Sequence, residues 1–408
     1  MYLKRISNDT FSSLHVRNYR LYYFGQIIST SGTFMQNVAQ AWLVLKLTNS
    51  GTALGLVAAL QYLPILILGP YGGVIADRFP RRKILFITQS CSGILALILG
   101  ILVATNLVQV WMVYILAACL GMVNVFDNPT RQTFYMELVG PDNLRNAITL
   151  YSILINLSRI VGPAIAAALI AAVGLAPCFL INGVSYVAVI AMLAMMHADE
   201  LVLSPPVPPA KGQLREGFKY VFSTPIVGSV LAMMAIVGTL TFEFQVSLPL
   251  IAQFTFNGDA SSYAFLTASM GVGAATGGLF FASRKGINPY KLVSASVLFG
   301  TAVLVAASMP TLLLSGLAMV FVGICSINFS SLGNSTLQLS SSPQMRGRVM
   351  ALWSVAFLGS TTFGGPLVGW FAGVAGARWG LALGGVAALL AALLGAFTLR
   401  NLKPDKNT

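Results

Sequence analysis

Asp127, Arg131, Arg159 and Glu243 lie inside long apolar stretches of a chain in which only 9% of residues are charged. Burying an ionisable side chain in hydrocarbon costs about 2.5–3.5 kcal/mol on insertion scales, so such groups are the first candidates for function. Asp127 and Arg131 stand one helical turn apart, on a shared face where they can pair. That pair reads equally as a structural or gating contact and as a contact for substrate or proton. Arg159, flanked by Asn156, Ser158 and Gly162, is a permanent cation that must face a cavity or an acid. Glu243 stands in Thr241-Phe-Glu-Phe-Gln245 with no cation near it in sequence. It is the first choice for carrying a proton, because proton uptake removes a charge that burial makes costly. The alternative for Glu243 is a solvated acid close to an outer mouth. Gln36, Asn37 and Gln40 fall on one side of a helix near Trp42. Their amides suit either a polar ligand or adhesion between helices.

A second concentration of chemistry is Gly69-Pro-Tyr-Gly-Gly-Val-Ile-Ala-Asp77-Arg78-Phe-Pro-Arg81-Arg82-Lys83, a charged turn between two apolar runs. Gly69, Gly72 and Gly73 are expected to let a helix end press closely on a neighbour. Asp77 is expected to accept hydrogen bonds at a helix N-terminus, where the dipole end is positive. Gly162-Pro163 and Gly365-Pro366 read as close-packed and possibly bent helix positions, with simple tight packing of equal weight.

Other chemistries lack their residues. No Gly-x-x-x-x-Gly-Lys-Ser/Thr run is present to cradle a nucleotide, so no cofactor is expected and the chain does not read as an enzyme. Cys91, Cys119, Cys178 and Cys325 lie singly in apolar stretches, and His15 and His197 are isolated, which suits neither disulfides nor a metal. The net charge of +13 is spread over the ends of apolar runs, unlike the clustered footprint of a nucleic-acid binder.

Hydrophobic residues make up 56% of the chain, against roughly 45–50% in a soluble domain. Roughly 20 apolar residues cross ~30 Å of hydrocarbon as a helix. Twelve such runs are predicted: 19–46, 52–77, 82–104, 108–138, 143–173, 176–197, 219–254, 261–283, 289–308, 311–340, 346–375 and 378–400. The hydrophilic stretch 199–216, with Pro205, Pro206, Pro208 and Pro209, separates a half at 1–198 from a half at 217–408. Arg and Lys gather before the first run, in the even-numbered turns and after the last run, while the opposite side offers only Lys46 and Arg378. Both termini are therefore expected in the cytoplasm. The halves repeat weakly. Arg145 to Pro163 and Arg348 to Pro366 have the same separation, and the charged turn is echoed by Gly277-Gly278 and Ser283-Arg284-Lys285.

The pattern Gly-x-x-x-Asp-Arg-x-x-Arg-Arg at Gly73–Arg82 resembles the signature loop of the major facilitator superfamily. With Arg17-Asn-Tyr-Arg-Leu, the stretch Gly32–Thr48, Asp127-Asn-Pro-Thr-Arg131, Arg159-Ile-Val-Gly-Pro163 and Leu248-Pro-Leu, it is similar to the bacterial branch of enterobactin-exporter-like permeases. The resemblance implies an all-α membrane protein of twelve transmembrane helices in two pseudo-symmetric six-helix bundles. It also implies Asp77 clasping the start of the eleventh helix near Arg346 and Arg348. Gly162-Pro163 resembles the fifth-helix motif of drug/proton antiporters, with Ala166-Ala167 in place of its following glycines. The acid that many proton-coupled relatives carry in the first helix is replaced here by Thr33, Gln36, Asn37 and Gln40. The expected function is export of a small, partly hydrophobic molecule (a siderophore, drug or metabolite) by proton antiport. The protein is expected to act as a monomer in the bacterial inner membrane, with small molecule, protons and lipid as its partners. The alternatives are an importer or lipid-like substrate flippase, or a non-transporting scaffold or sensor of the same fold.

Overall fold

A computed structural model describes residues 11–202, 213–281, 289–342 and 345–399, with backbone alone at 70, 74, 77, 213–215, 217, 218, 281 and 289. Among these residues every regular element is helical. An apolar environment offers no partner to a peptide group, and only a helix satisfies nearly all of them within one segment. In chain order the helices are α1 (Arg17–Thr48), α2 (Gly51–Arg78), α3 (Arg81–Ala104), α4 (Val110–Val173), α5 (Ala176–Ala194) and a short α6 (Gln213–Ser223). They continue with α7 (Pro225–Leu240), α8 (Phe244–Leu250), α9 (Ala260–Phe281), α10 (Pro289–Ser308), α11 (Leu312–Ser340), α12 (Arg346–Ser354), α13 (Thr361–Ala375) and α14 (Ala377–Leu399). Single π-turns at Ile251–Thr255 and Val355–Gly359 extend α8 and join α12 to α13. Nine helical segments among the described residues are long and apolar enough to cross a membrane by length and composition.

The runs at 108–138 and 143–173 form one continuous element in α4, broken at Gly140 (φ 69°, ψ 178°). That left-handed φ excludes most side chains, and Pro141 directly after it restarts the helix. The run at 219–254 differs more. It divides into α6, α7 and α8, with Thr241, Phe242 and Glu243 left out of the helix. The echo at Ser283-Arg284-Lys285 and the four linker prolines lie outside the described residues.

Contacts group the chain as Met1–Leu43 with Ile67–Pro209, and Val44–Leu66 with Ala210–Thr408. The boundary near 209 falls inside the hydrophilic stretch read at 199–216. The grouping of Val44–Leu66 with the later residues has a local cause: Gly51 abuts the Gly369 carbonyl and Gly55 abuts the Gly365 carbonyl. Backbones can approach this closely only where neither residue carries a Cβ.

Inside the first unit, Gly162 of α4 sits against Ser31 O, Phe34 and Met35 of α1, and the only non-helical φ/ψ inside α4 is at Gly140. Gly162 is thus a position of close approach between α4 and α1. This unit holds an aromatic core of Tyr19, Tyr22, Phe134 and Tyr135 with Leu85 and Leu138. In the second unit, Gly273 and Gly323 bring α9 and α11 together against the carbonyls of Val320 and Met270.

The expectation that Gly69, Gly72 and Gly73 all serve close approach needs correction. A Cβ on Gly72 would strike the Val125 carbonyl of α4, whereas one on Gly69 or Gly73 meets no atom within 4 Å among the described residues. Gly72→Val is therefore expected to cost about 1–3 kcal/mol through overpacking, with Gly69→Val within about 0.5 kcal/mol of the parent. Thermal unfolding of the purified proteins in detergent checks this, and equal losses at both positions would contradict it.

Candidate functional site

Asp127 and Arg131 occupy successive turns of α4 and form the pair their spacing predicts. Asp127 is 2% exposed. Its Oδ1 accepts from Thr88 Oγ1 and Gln89 Nε2 of α3, each at 2.7 Å. Its Oδ2 accepts from Arg131 Nε at 3.1 Å and from the guanidinium Nη2. Arg131 Nη1 in turn donates to Gln26 Oε1 of α1 at 2.6 Å. Four donors from α3 and α4 thus surround one carboxylate, and α1 joins the cluster through Arg131. The hydroxyls of Tyr22 and Tyr135, Gln26 Nε2 and Gln89 Oε1 are buried beside this network without partners among the described residues. The network ties α1, α3 and α4 together around one ion pair.

The charged turn resolves into separate jobs. Arg81, at the start of α3, pairs with the buried Glu137 of α4. Arg82 donates to the Leu193 and Ala194 carbonyls at 2.8 and 3.1 Å, capping the end of α5, and lies 5.8 Å from the Phe86 ring. Cations are favoured at helix C-termini for this reason. Arg78 is exposed, and the side chain of Asp77 lies outside the described residues. Arg348, one of the two cations expected near Asp77, pairs with Glu216 of α6, and the Tyr220 hydroxyl of α6 accepts from Ser342 N at 3.1 Å.

Gln36 Oε1 accepts from Asn182 Nδ2 of α5 at 2.7 Å, so this amide joins helices. Gln40 is buried and Asn37 half-buried. Arg159 is half-buried, its guanidinium carbon 5.9 Å from the Phe34 ring centre. Cation–π contact of this kind can hold a cation where few counter-ions are available.

Glu243 belongs to the second unit and sits in the break between α7 and α8. It is 2% exposed, so it is not a solvated acid. Its Oε1 is buried with no hydrogen-bond donor among the described residues, and Thr361 at the start of α13 lies beside the same carboxyl. Glu243 forms no ion pair among the described residues. Gly364 of α13 fits against both Glu243 Oε1 and the Thr239 carbonyl, leaving no room for a side chain. Thr241 Oγ1 donates to Gly384 O of α14 at 2.8 Å. Phe242 packs on Phe357 and Phe299 at 5.0 and 5.3 Å between ring centres.

Gln26, Thr88, Gln89, Glu137 and Asn182 are partners that the sequence reading did not single out. Each is a polar side chain inside an apolar run, the same signal that marked Asp127 and Glu243. Their pairing across helices carries no sequence mark. Because the Asp127–Arg131 pair is buried, Asp127→Asn alone is expected to cost about 3–5 kcal/mol. Asp127→Asn with Arg131→Met should cost less than the sum of the two single losses. A double-mutant cycle on thermal unfolding in detergent reads both, and additive losses would show that the two side chains do not act together.

Residues 8–407 match the family model described as transmembrane secretion effector. The chain is 25% identical over 361 residues to the multidrug efflux pump Tap of Mycolicibacterium fortuitum, covering 85% of this chain and 86% of that one. It is 24% identical over 359 residues to the enterobactin exporter EntS of Escherichia coli O1:K1, covering 86% and 84%. Its fold is similar to the crystal structure of a bacterial homologue of the human lysosomal transporter Spinster in an inward-facing, unoccupied conformation. That match has a TM-score of 0.76 at 14% identity, over 94% of this chain and 97% of that chain. The match over nearly the whole length, on an all-helical fold, makes this chain a member of the transmembrane secretion effector family of major facilitator superfamily transporters, which are not enzymes.

Proposed function

We propose that this protein exports a small, partly hydrophobic molecule, a siderophore, drug or secondary metabolite, from the bacterial cytoplasm by proton antiport. The observation that carries the reading is Glu243, a carboxyl 2% exposed in a broken helix with no cation paired to it among the described residues. Such a group gains by taking a proton and gains again by meeting water when it gives the proton up. It therefore suits a site that is alternately closed and opened. The names of two relatives, an enterobactin exporter and a multidrug efflux pump, support export and the size and character of the cargo.

The protein works as a monomer in the inner membrane. α4 counted twice, α7 with α8 once and α12 with α13 once give twelve crossings, with both termini cytoplasmic as the distribution of Arg and Lys requires. Glu243 carries the proton. The Asp127–Arg131 pair changes its contacts during the cycle, and Arg159, Asn37 and Gln40 meet the cargo. Asp77, in the same charged turn as Arg78, Arg81 and Arg82, biases the cycle towards the outward-facing state.

Inverted membrane vesicles carrying the protein test this with catecholate siderophores and with cationic or neutral drugs added singly. A transported compound is expected to draw protons out of the lumen, so that lumenal pH rises on its addition. Glu243→Gln is expected to abolish that rise while the compound still binds. Asp77→Asn is expected to slow it while leaving the protein folded in the membrane. An undiminished pH response in Glu243→Gln would remove Glu243 from coupling. Silence across the panel with binding intact would refute proton antiport.

A further inference from the structure

We propose that the break between α7 and α8 is a binding site for a small, hard monovalent cation of the sodium type, held by the Glu243 carboxylate and the carbonyl oxygens that end α7. The proposal rests on the reading of Glu243 as the coupling group and adds that a metal cation competes there with the proton.

The backbone carries the first part of the argument. The amides of Thr241 and Phe242 both turn back to the Val237 carbonyl, at 2.8 and 3.1 Å. The carbonyls of Gly238, Thr239 and Leu240 are thereby left without the donors that a continued helix would supply. The Thr239 carbonyl abuts Gly364 and the Leu240 carbonyl abuts Gly384, so both face packed protein rather than open space. The end of a helix is also the negative end of its dipole. Glu243 adds a carboxylate at that end, and its Oε1 meets the same Gly364 that the Thr239 carbonyl meets. Two oxygen donors therefore converge on one glycine. Thr361 lies beside the carboxyl, and the neighbouring Thr362 Oγ1 is buried without a partner.

A cluster of uncompensated oxygens needs positive charge. The described charged and titratable side chains on the elements packed against this break are Glu216, Lys219 and Tyr220 of α6, Tyr263 of α9, Cys325 of α11, Arg346 and Arg348 of α12, and Arg378 of α14. Arg348 is taken by Glu216, and Arg378 donates to the Ala307 carbonyl at 3.0 Å. None of these side chains meets Glu243 in an ion pair among the described residues. Oxygen ligands with one carboxylate select a hard cation over a transition metal. Half-helix C-terminal carbonyls beside an acid are a known way for a transporter to hold sodium or a proton. A single negative charge suits a monovalent ion.

The purified full chain in detergent, titrated with radioactive sodium at alkaline pH, tests the site by scintillation proximity. Saturable binding is expected, displaced by unlabelled sodium and by acid but not by choline, and lost in Glu243→Gln. Absence of saturable binding in the parent, or undiminished binding in Glu243→Gln, would overturn the proposal. If Glu243→Gln does not accumulate as folded protein, Thr361→Val is read in its place, with weakened binding expected and unchanged binding overturning the site. Efflux in sodium-free choline buffer is scored separately. Proton-driven efflux that depends on Glu243, with no sodium binding in the parent, would overturn the cation site and leave the transport reading standing.

Discussion

Hydrocarbon offers a peptide group no hydrogen-bond partner, and the architecture follows from how the chain meets that condition. Helices satisfy the backbone internally, which leaves the question of what attracts one helix to another when lipid is as apolar as leucine. Glycine answers it here by allowing backbone to touch backbone. Gly72 meets the Val125 carbonyl, Gly323 the Met270 carbonyl, and Gly55 the Gly365 carbonyl. Close approach multiplies dispersion contacts that are individually worth only about 0.1–0.2 kcal/mol. Side-chain amides then fix which helices meet, as Gln36 and Asn182 do between α1 and α5.

Charge is handled differently in the two units, each taken by itself. In the first, every carboxylate buried among the described residues has a cation: Asp127 has Arg131, and Glu137 has Arg81. Pairing of this kind makes either partner costly to remove. In the second, Glu243 is buried with a hydroxyl beside it and no cation paired to it among the described residues. A paired carboxylate is a fastening, whereas an unpaired one changes its charge when its surroundings change. A protein that must respond to an ion has use for both.

The sequence made much of this legible. Apart from the run at 219–254 and the two runs joined in α4, runs of apolar residues located the helices to within a few positions, and the four-residue spacing of Asp127 and Arg131 announced their ion pair. Isolation of Glu243 from any cation in sequence matched the structure, where no described cation pairs with it and two nearby arginines are engaged elsewhere, Arg348 with Glu216 and Arg378 with the Ala307 carbonyl. What remained hidden was pairing at a distance. Arg81 read as part of a topology-setting turn, and nothing local links it to Glu137, 56 residues away. The break at 241–243 was also hidden, since Thr, Phe and Glu are all tolerated within helices and no glycine or proline marks the spot. Gly69 and Gly73 erred the other way: composition shows that a Cβ is missing but not whether anything approaches the space it leaves.

The break itself has an energetic logic. An apolar-run helix interrupted at Leu240 gives up backbone hydrogen bonds, and a buried unsatisfied carbonyl costs about 1–3 kcal/mol. The Thr241 hydroxyl bond to Gly384 and the packing of Phe242 on Phe299 and Phe357 anchor the interrupted segment. They do not supply donors to the Thr239 and Leu240 carbonyls. Those oxygens and Glu243 are therefore stabilised by any positive charge that enters the break, and a straightened helix would lose that stabilisation. Ion occupancy and helix geometry are then one equilibrium, since a ligand shifts a protein towards whichever form it binds more tightly. At the site proposed above, a bound cation would favour the broken form, and its departure would favour closure of the helix. A coupling ion needs that linkage if its movement is to change the shape of a transporter.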